Sequence, residues 1–185
     1  MVLVFLANGF EELEALATVD VLRRADLSVL TVGVGGKTVM GAHGMAVVAD
    51  RADSDILPEE VEAMILPGGL PGTTNLEASP VVQRYLDKAA QQNTLIGAIC
   101  AAPSILGHNG LLQGKRATCY PGYEDELRGA VCTGESVVID GRIVTAKGAG
   151  VSVDFGLAIV SVLVSPETAK ELGEKMQCKQ AISVN

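Results

Sequence analysis

Short apolar runs alternate with amphipathic stretches along this chain, and the alternation predicts strands and helices in turn. Val2 to Ala7 is an unbroken apolar run closed by Asn8-Gly9, the pattern of a strand buried on both faces. From Glu12 to Ala25 the positions Leu13, Leu16, Ala17, Val21 and Leu22 recur at helical spacing and predict a first helix. Leu27 to Val34 reads as the next strand, and Val39 to Asp50 as a hairpin or excursion. Ala63-Met64-Ile65-Leu66 is a further buried strand stopping at Pro67-Gly68-Gly69. Ser79-Pro80 supplies an N-cap and a proline at the first helical position, opening a helix through about Gln92. The segment Asn93 to Leu106 passes from an apolar strand run to a helical run at Cys100. Between Ser136 and Thr145 two apolar runs flank Asp140-Gly141, the strongest short signal for a hairpin. Ser152 to Val164 predicts a long apolar helix, and Ser165-Pro166 caps a last one.

Strands that are apolar on both faces, separated by helices, predict an α/β fold with a mainly parallel sheet covered on both sides. The hairpin near residues 136–145 adds an antiparallel pair. In such folds sites gather at the carboxyl ends of the strands. Four loops lie there: Asn8 to Glu12, Pro67 to Gly69, the Cys100 turn, and Lys147 to Gly150.

With 185 residues and no internal repeat or linker, the chain suits a single domain over 1–185. Its apolar fraction of 48% comes from Ala, Val, Leu and Ile, with few aromatics. No apolar run approaches the roughly 18 to 20 residues that span a bilayer, and Met1 to Ala7 lacks a basic leader segment. No membrane partner and a cytoplasmic location are expected. The formal charge of -8, with no clustered Lys and Arg, disfavours a nucleic-acid partner. Cys100, Cys119, Cys132 and Cys178 are far apart, with no C-x-x-C and no histidine at ligand spacing. Neither a metal site nor a disulfide framework is signalled, no cofactor is expected, and free thiols are the default in a reducing compartment.

Cys100 is the candidate with the clearest chemistry. A strand-to-helix turn pushes one side chain out at the sheet edge and aims the free N–H groups of the next helix at it. Such a thiol is expected to ionise below its free value near 8.5. Taken alone, the motif favours one more small buried hydrophobe. Glu11, Glu12 and Glu14 open the first helix; helix-dipole compensation accounts for Glu11 and Glu12. Glu14 is placed to point into the site, where burial would raise its pKa and let it share a proton with a thiolate. Gly68-Gly69 alone reads as a tight turn, but Gly69 N–H together with Ala101 N–H would make an oxyanion hole. Gly148-Ala149-Gly150 is read as a turn. Of the two histidines, His108 lies about two turns beyond Cys100 and should point away, while His43 sits in the excursion with a surface role. A protease-type Cys-His pair is therefore not supported.

Several blocks together resemble the DJ-one/ThiJ/PfpI superfamily, in the branch of the Parkinsonism-associated deglycase and its bacterial relatives. They are Gly9 to Glu14, Val19 to Ala25, Leu66 to Gly69, Ala98 to Pro103, and Asp154 to Val160, in family order over nearly the whole chain. The resemblance implies a flavodoxin-like three-layer sandwich, a homodimer and a reactive cysteine on a nucleophile elbow. By position Cys100 matches that cysteine, Glu14 the protonated glutamate bonded to it, and Gly69 and Ala101 the backbone donors. Tyr120 stands where the human branch member has a histidine before proline, and His43 where that branch has an arginine; with Gly68 they are expected substrate contacts. Ala101 replaces the histidine of the protease-like branch, which counts against peptidase activity. The implied activity is glyoxalase or deglycase chemistry, cofactor-free, on methylglyoxal-type dicarbonyls or early glycation adducts. A second reading makes Cys100 an oxidisable stress sensor, or part of a chaperone, with little turnover. A general amidase is the weakest reading. At assembly level, Leu16, Val19 and Val21 cannot all face one sheet, so the first helix is expected to leave apolar surface for a two-fold partner, rimmed by Asp20, Arg23 and Arg24.

Overall fold

A computed structural model describes residues 1–178 of the chain; residues 179–185, which the single-domain expectation includes, lie outside the described residues. The chain runs β1 (Val2–Leu6), α1 (Glu12–Arg24), β2 (Val29–Gly33), β3 (Thr38–Met40), β4 (Ala46–Val48), β5 (Arg51–Ala52) and β6 (Ala63–Leu66). There follow α2 (Gly72–Glu77), α3 (Pro80–Gln92), β7 (Leu95–Ile99), α4 (Pro103–His108), β8 (Arg116–Ala117) and β9 (Val131–Cys132). The hairpin β10 (Val137–Asp140) and β11 (Ile143–Ala146) leads to α5 (Ser152–Leu163) and α6 (Pro166–Lys175).

The main sheet has the order β10-β11-β7-β6-β1-β2-β5, parallel throughout except between β10 and β11. Its central strands carry no polar side chain because both faces are covered. In β1 the period of two splits the run: Val2, Val4 and Leu6 enter one core with residues of α1 and α5, while Leu3 and Phe5 enter the other with residues of α3 and α4. Among the described residues no helix is long and apolar enough to cross a membrane.

Local signals set the element ends. Ser79 Oγ accepts the Val82 N–H, and Ser165 Oγ accepts the Thr168 N–H at 3.0 Å, so both serine-proline pairs cap as expected. The short helix α2 and the two-residue strands β5, β8 and β9 were not expected, since elements of that length carry no readable period.

The first helix differs from expectation in which residues it leaves exposed. Val19 and Val21 are buried within the single chain. A methyl group on Gly156 of α5 would lie 2.8 Å from Val21 Cβ, so the missing side chain there lets α5 close over this face. The apolar surface left over is Leu13, 55% exposed, with Leu16, 39% exposed. Around it, Arg24 pairs with Asp20 within the helix, and Arg23 reaches Asp50 at 2.8 Å.

The chain leaves β1 toward β2 on one side and returns to place β6 on the other. Strand order therefore reverses between β1 and β6, and the loops after both strands open outward at one point. The Cys100 turn follows the neighbouring strand β7.

Candidate active site

The ladder of β7 holds up to the cysteine. Cys100 N–H donates to the Ala146 carbonyl at 2.9 Å, and the Cys100 carbonyl accepts the Tyr120 N–H at 2.8 Å. Between these anchors Cys100 has φ +65°, in the left-handed region that non-glycine residues seldom adopt. A strained residue at a strand end is how a nucleophile elbow projects its side chain. The helix beyond it begins at Pro103, two residues later than expected, and is only six residues long, so its dipole does less for the sulfur than the sequence suggested. Individual amides act instead: the backbone N–H groups of Ala101 and Gly69 pull the thiol's pKa down.

Gly68 joins the cysteine to Glu14. Its N–H donates to Glu14 Oε2 at 2.8 Å. A methyl group on Gly68 would stand 2.7 Å from both Cys100 Cβ and Glu14 Oε2, so thiol and carboxyl close around a residue that must lack a side chain. Gly69 takes φ +88°, and a side chain there would strike the backbone of Gly9 and Glu11. The loops after β1, β6 and β7 thus interlock through glycine.

The electrostatics depart from expectation at the sulfur. Burial first, then the charge and hydrogen bond of Glu14, push the Cys100 thiol up to about 12, against the pull of the Ala101 and Gly69 amides. Burial likewise raises Glu14 to about 7, opposed by hydrogen bonds from Cys100 and the Gly68 amide. The two groups are coupled, and the carboxyl gives up its proton before the thiol does. Glu14 Oε1 is buried with no hydrogen-bond partner. Charge on such an oxygen is costly, and a proton there removes the cost.

Glu11 and Glu12 do more than balance the helix dipole. Glu11 caps α1, its Oε2 accepting the Glu14 N–H at 2.6 Å, and so orients the turn that carries Glu14. Glu12 is buried and accepts the His43 N–H at 2.7 Å and the Met45 N–H at 3.3 Å, while His43 Nδ1 lies 2.8 Å from its other oxygen. Burial opposes the charge on Glu12, yet these bonds hold its pKa below the usual range, and the pairing raises that of His43. His43 is thereby tied to Glu12 at the tip of the β3–β4 hairpin and does not line the pocket beside Cys100. The ligand atoms of Glu11, Glu12 and His43 lie within 4.8 Å of one another, a grouping that could hold a metal ion and that the sequence reading did not find. The cap that Glu11 makes on α1 and the hydrogen bonds between Glu12 and His43 at the hairpin tip account for it.

Beside the sulfur lies an open pocket of about 210 Å3 lined by Gly69, Leu70, Cys100, Ala101, Tyr120 and Tyr123. Tyr123 was missed in the sequence. Tyr120-Pro121-Gly122-Tyr123 is a Pro-Gly turn, with Gly122 at φ +96° and Tyr123 N–H donating to the Tyr120 carbonyl at 3.1 Å. Such a turn brings its first and fourth residues together, so the pair was readable locally. Gly148 backs the ring of Tyr120 and lines an adjoining hollow. His108 points away from the sulfur: its ring nitrogens lie 2.5 Å from Glu77 Oε1 and 2.8 Å from Glu126 Oε2. All four cysteines are free thiols, and burial pushes Cys119 up to about 12.

A three-layer α/β sandwich with a strained cysteine at a strand end, a buried glutamate against it and two amides on the sulfur defines a class of cysteine-centred α/β proteins. The family model described as the DJ-1/PfpI family matches residues 1–162. The crystal structure of Drosophila melanogaster DJ-1beta superposes with a TM-score of 0.90 at 32% identity, covering 97% of this chain and 98% of that one. The chain is 37% identical over 164 residues to the Caenorhabditis elegans protein named glutathione-independent glyoxalase DJR-1.2, covering 88% of this chain and 87% of that protein. It is 38% identical over 174 residues to protein DJ-1 homolog B of Arabidopsis thaliana, and there it spans 92% of its own length but only 40% of the relative's. The chain belongs to the DJ-1/PfpI family, and its fold is the flavodoxin-like α/β sandwich.

Proposed function

We propose that the protein is a cysteine-dependent glyoxalase that converts α-oxoaldehydes to 2-hydroxy acids, with removal of early glycation adducts as the related activity. The observation that carries this reading is that Cys100 and Glu14 close on one another across Gly68, placed so that a proton can pass between them. The naming of a 37% identical relative as a glutathione-independent glyoxalase supports it.

With the proton on Glu14, Cys100 is a thiolate. It attacks the aldehyde carbon, the carbonyl electron pair moves to oxygen, and Glu14 delivers its proton there to give a hemithioacetal. The Gly69 and Ala101 amides stabilise the negative oxygen as it forms. Glu14, now a carboxylate, takes the proton from the former aldehyde carbon, and an enediolate forms. The hydroxyl proton on the sulfur-bearing carbon passes to the neighbouring alkoxide oxygen, and return of the carbon proton from Glu14 to the neighbouring carbon leaves a thioester of the 2-hydroxy acid. Water cleaves the thioester, the sulfur leaves as thiolate, and the pair recovers its single proton. The protein would work as a homodimer through the exposed Leu13 and Leu16 of α1.

The test is conversion of methylglyoxal to lactate by the purified protein without glutathione. Cys100→Ser and Glu14→Gln should each abolish it. Turnover that survives Cys100→Ser removes the mechanism, whereas absent turnover with ready conversion of Cys100 to sulfinate favours an oxidation sensor.

A further inference from the structure

The shape and chemistry of the pocket beside Cys100 bear on which aldehyde the site takes, an inference that rests on the glyoxalase reading. We propose that the site selects free α-oxoaldehydes carrying a neutral apolar substituent, an aryl group above all. Glyoxal, sugar-derived aldehydes and peptide-borne adducts are disfavoured.

Apart from the sulfur, the pocket wall is Gly69, Leu70, Ala101, Tyr120 and Tyr123, with no charged side chain. Leu70 is 57% exposed and Tyr120 52% exposed, so large apolar groups stand in water directly beside the sulfur and gain from being covered. The Pro-Gly turn holds the Tyr120 backbone through the Tyr123 N–H, and one edge of the ring lies against Gly148, where a methyl group would sit 3.4 Å from it. The amides at this wall, Gly69 and Ala101, act on the sulfur and in the reaction are taken up by the reacting oxygen. A sugar hydroxyl or a glycated guanidinium would be stripped of water there without a partner. Cations are kept elsewhere. His43 is tied to Glu12, and Lys147 lines the hollow on the other side of Tyr120. At about 210 Å3 the pocket suits one small ring and not a peptide.

The experiment compares kcat/KM for phenylglyoxal, methylglyoxal, glyoxal and a methylglyoxal-treated N-acetylarginine in the wild type, Tyr120→Ala and Leu70→Ala. Phenylglyoxal is expected to exceed methylglyoxal by roughly tenfold or more in the wild type, the scale on which apolar pockets discriminate. Each variant should cut that ratio by about fivefold, which separates binding in the pocket from the intrinsic reactivity of the aldehyde. A ratio near one, a ratio that neither variant changes, or faster handling of the arginine adduct overturns the proposal. Should no aldehyde be turned over, the glyoxalase reading fails and the pocket is read separately by alkylation of Cys100 with phenacyl bromide. Saturable alkylation that Tyr120→Ala weakens supports the pocket's preference for an aryl ketone; linear alkylation equal in both proteins overturns it.

Discussion

Replacing Gly68 by alanine tests the Cys100–Glu14 contact without touching either residue. Gly68 does not use the left-handed region, so alanine can adopt its backbone and the perturbation is one of space. The new methyl group would lie 2.7 Å from Cys100 Cβ, 2.7 Å from Glu14 Oε2 and 3.0 Å from the Ile99 carbonyl oxygen. Ordinary contact begins near 3.4 Å, so the carboxyl and thiol must part by about 0.7 Å. Misplacement by about 1 Å costs roughly a hundredfold in rate, which puts the expected loss in kcat/KM between about tenfold and a hundredfold. Overpacking of this kind costs about 1–3 kcal/mol of stability. Lactate formation from methylglyoxal measures the first effect and urea unfolding the second. A folded Gly68→Ala protein with wild-type turnover refutes the role of the contact. Gly69→Ala should fare worse, because its methyl group meets the Glu11 nitrogen at 2.4 Å and the Gly9 oxygen at 2.5 Å, backbone atoms that cannot give way.

Three further outcomes follow from the same geometry. Glu14 is raised from 4.5 to about 7, so the folded state binds the extra proton between those values and loses stability as pH rises through them; Glu14→Gln, expected to abolish turnover, should therefore be more stable than the wild type at pH 8 by on the order of 1–3 kcal/mol, and urea unfolding at pH 5 and pH 8 checks the difference. The His108 clamp also weakens with rising pH: Glu126 and Glu77 raise His108, so its contribution is complete below 6.5 and is lost as pH rises through the raised value, while the lowered pKa of Glu126 keeps the pair intact down to about 4.5; the stability gap between wild type and His108→Gln should be widest from about pH 5 to 6 and close toward alkaline pH. A homodimer joined through α1 should sediment at about twice the 19.1 kDa of the chain and fall to that mass in Leu13→Glu or Leu16→Glu; a wild type sedimenting only as the single chain at micromolar concentration refutes it. Val19→Glu is the wrong probe, since Val19 is buried within one chain and its substitution would unfold the protein.

What the sequence determined by itself is what depends on near neighbours. Short unbroken apolar runs set the central strands and period-3.6 patterns the longer helices, Ser79-Pro80 and Ser165-Pro166 set helix starts, and Asp140-Gly141 set a hairpin, because each of these is a contest between backbone conformations within a few residues. The position of Cys100 on a strand-to-helix turn was local in the same sense, as was the Tyr120–Tyr123 turn that went unread. Tertiary structure decided the rest. Glu14 and Gly68 are 54 residues apart, and only the strand order β7-β6-β1 brings them to one point with Cys100. Glu12 and His43 are 31 residues apart and meet because the β3–β4 hairpin folds back onto the start of α1. Val21 is among the residues the sequence leaves for a partner because the sequence does not show that Gly156 lets α5 approach it. The thiol was expected to ionise easily because the turn and the helix start are legible along the chain. Its pKa rises instead because desolvation, and the carboxyl packed beside it, are properties of surroundings assembled from three separate loops.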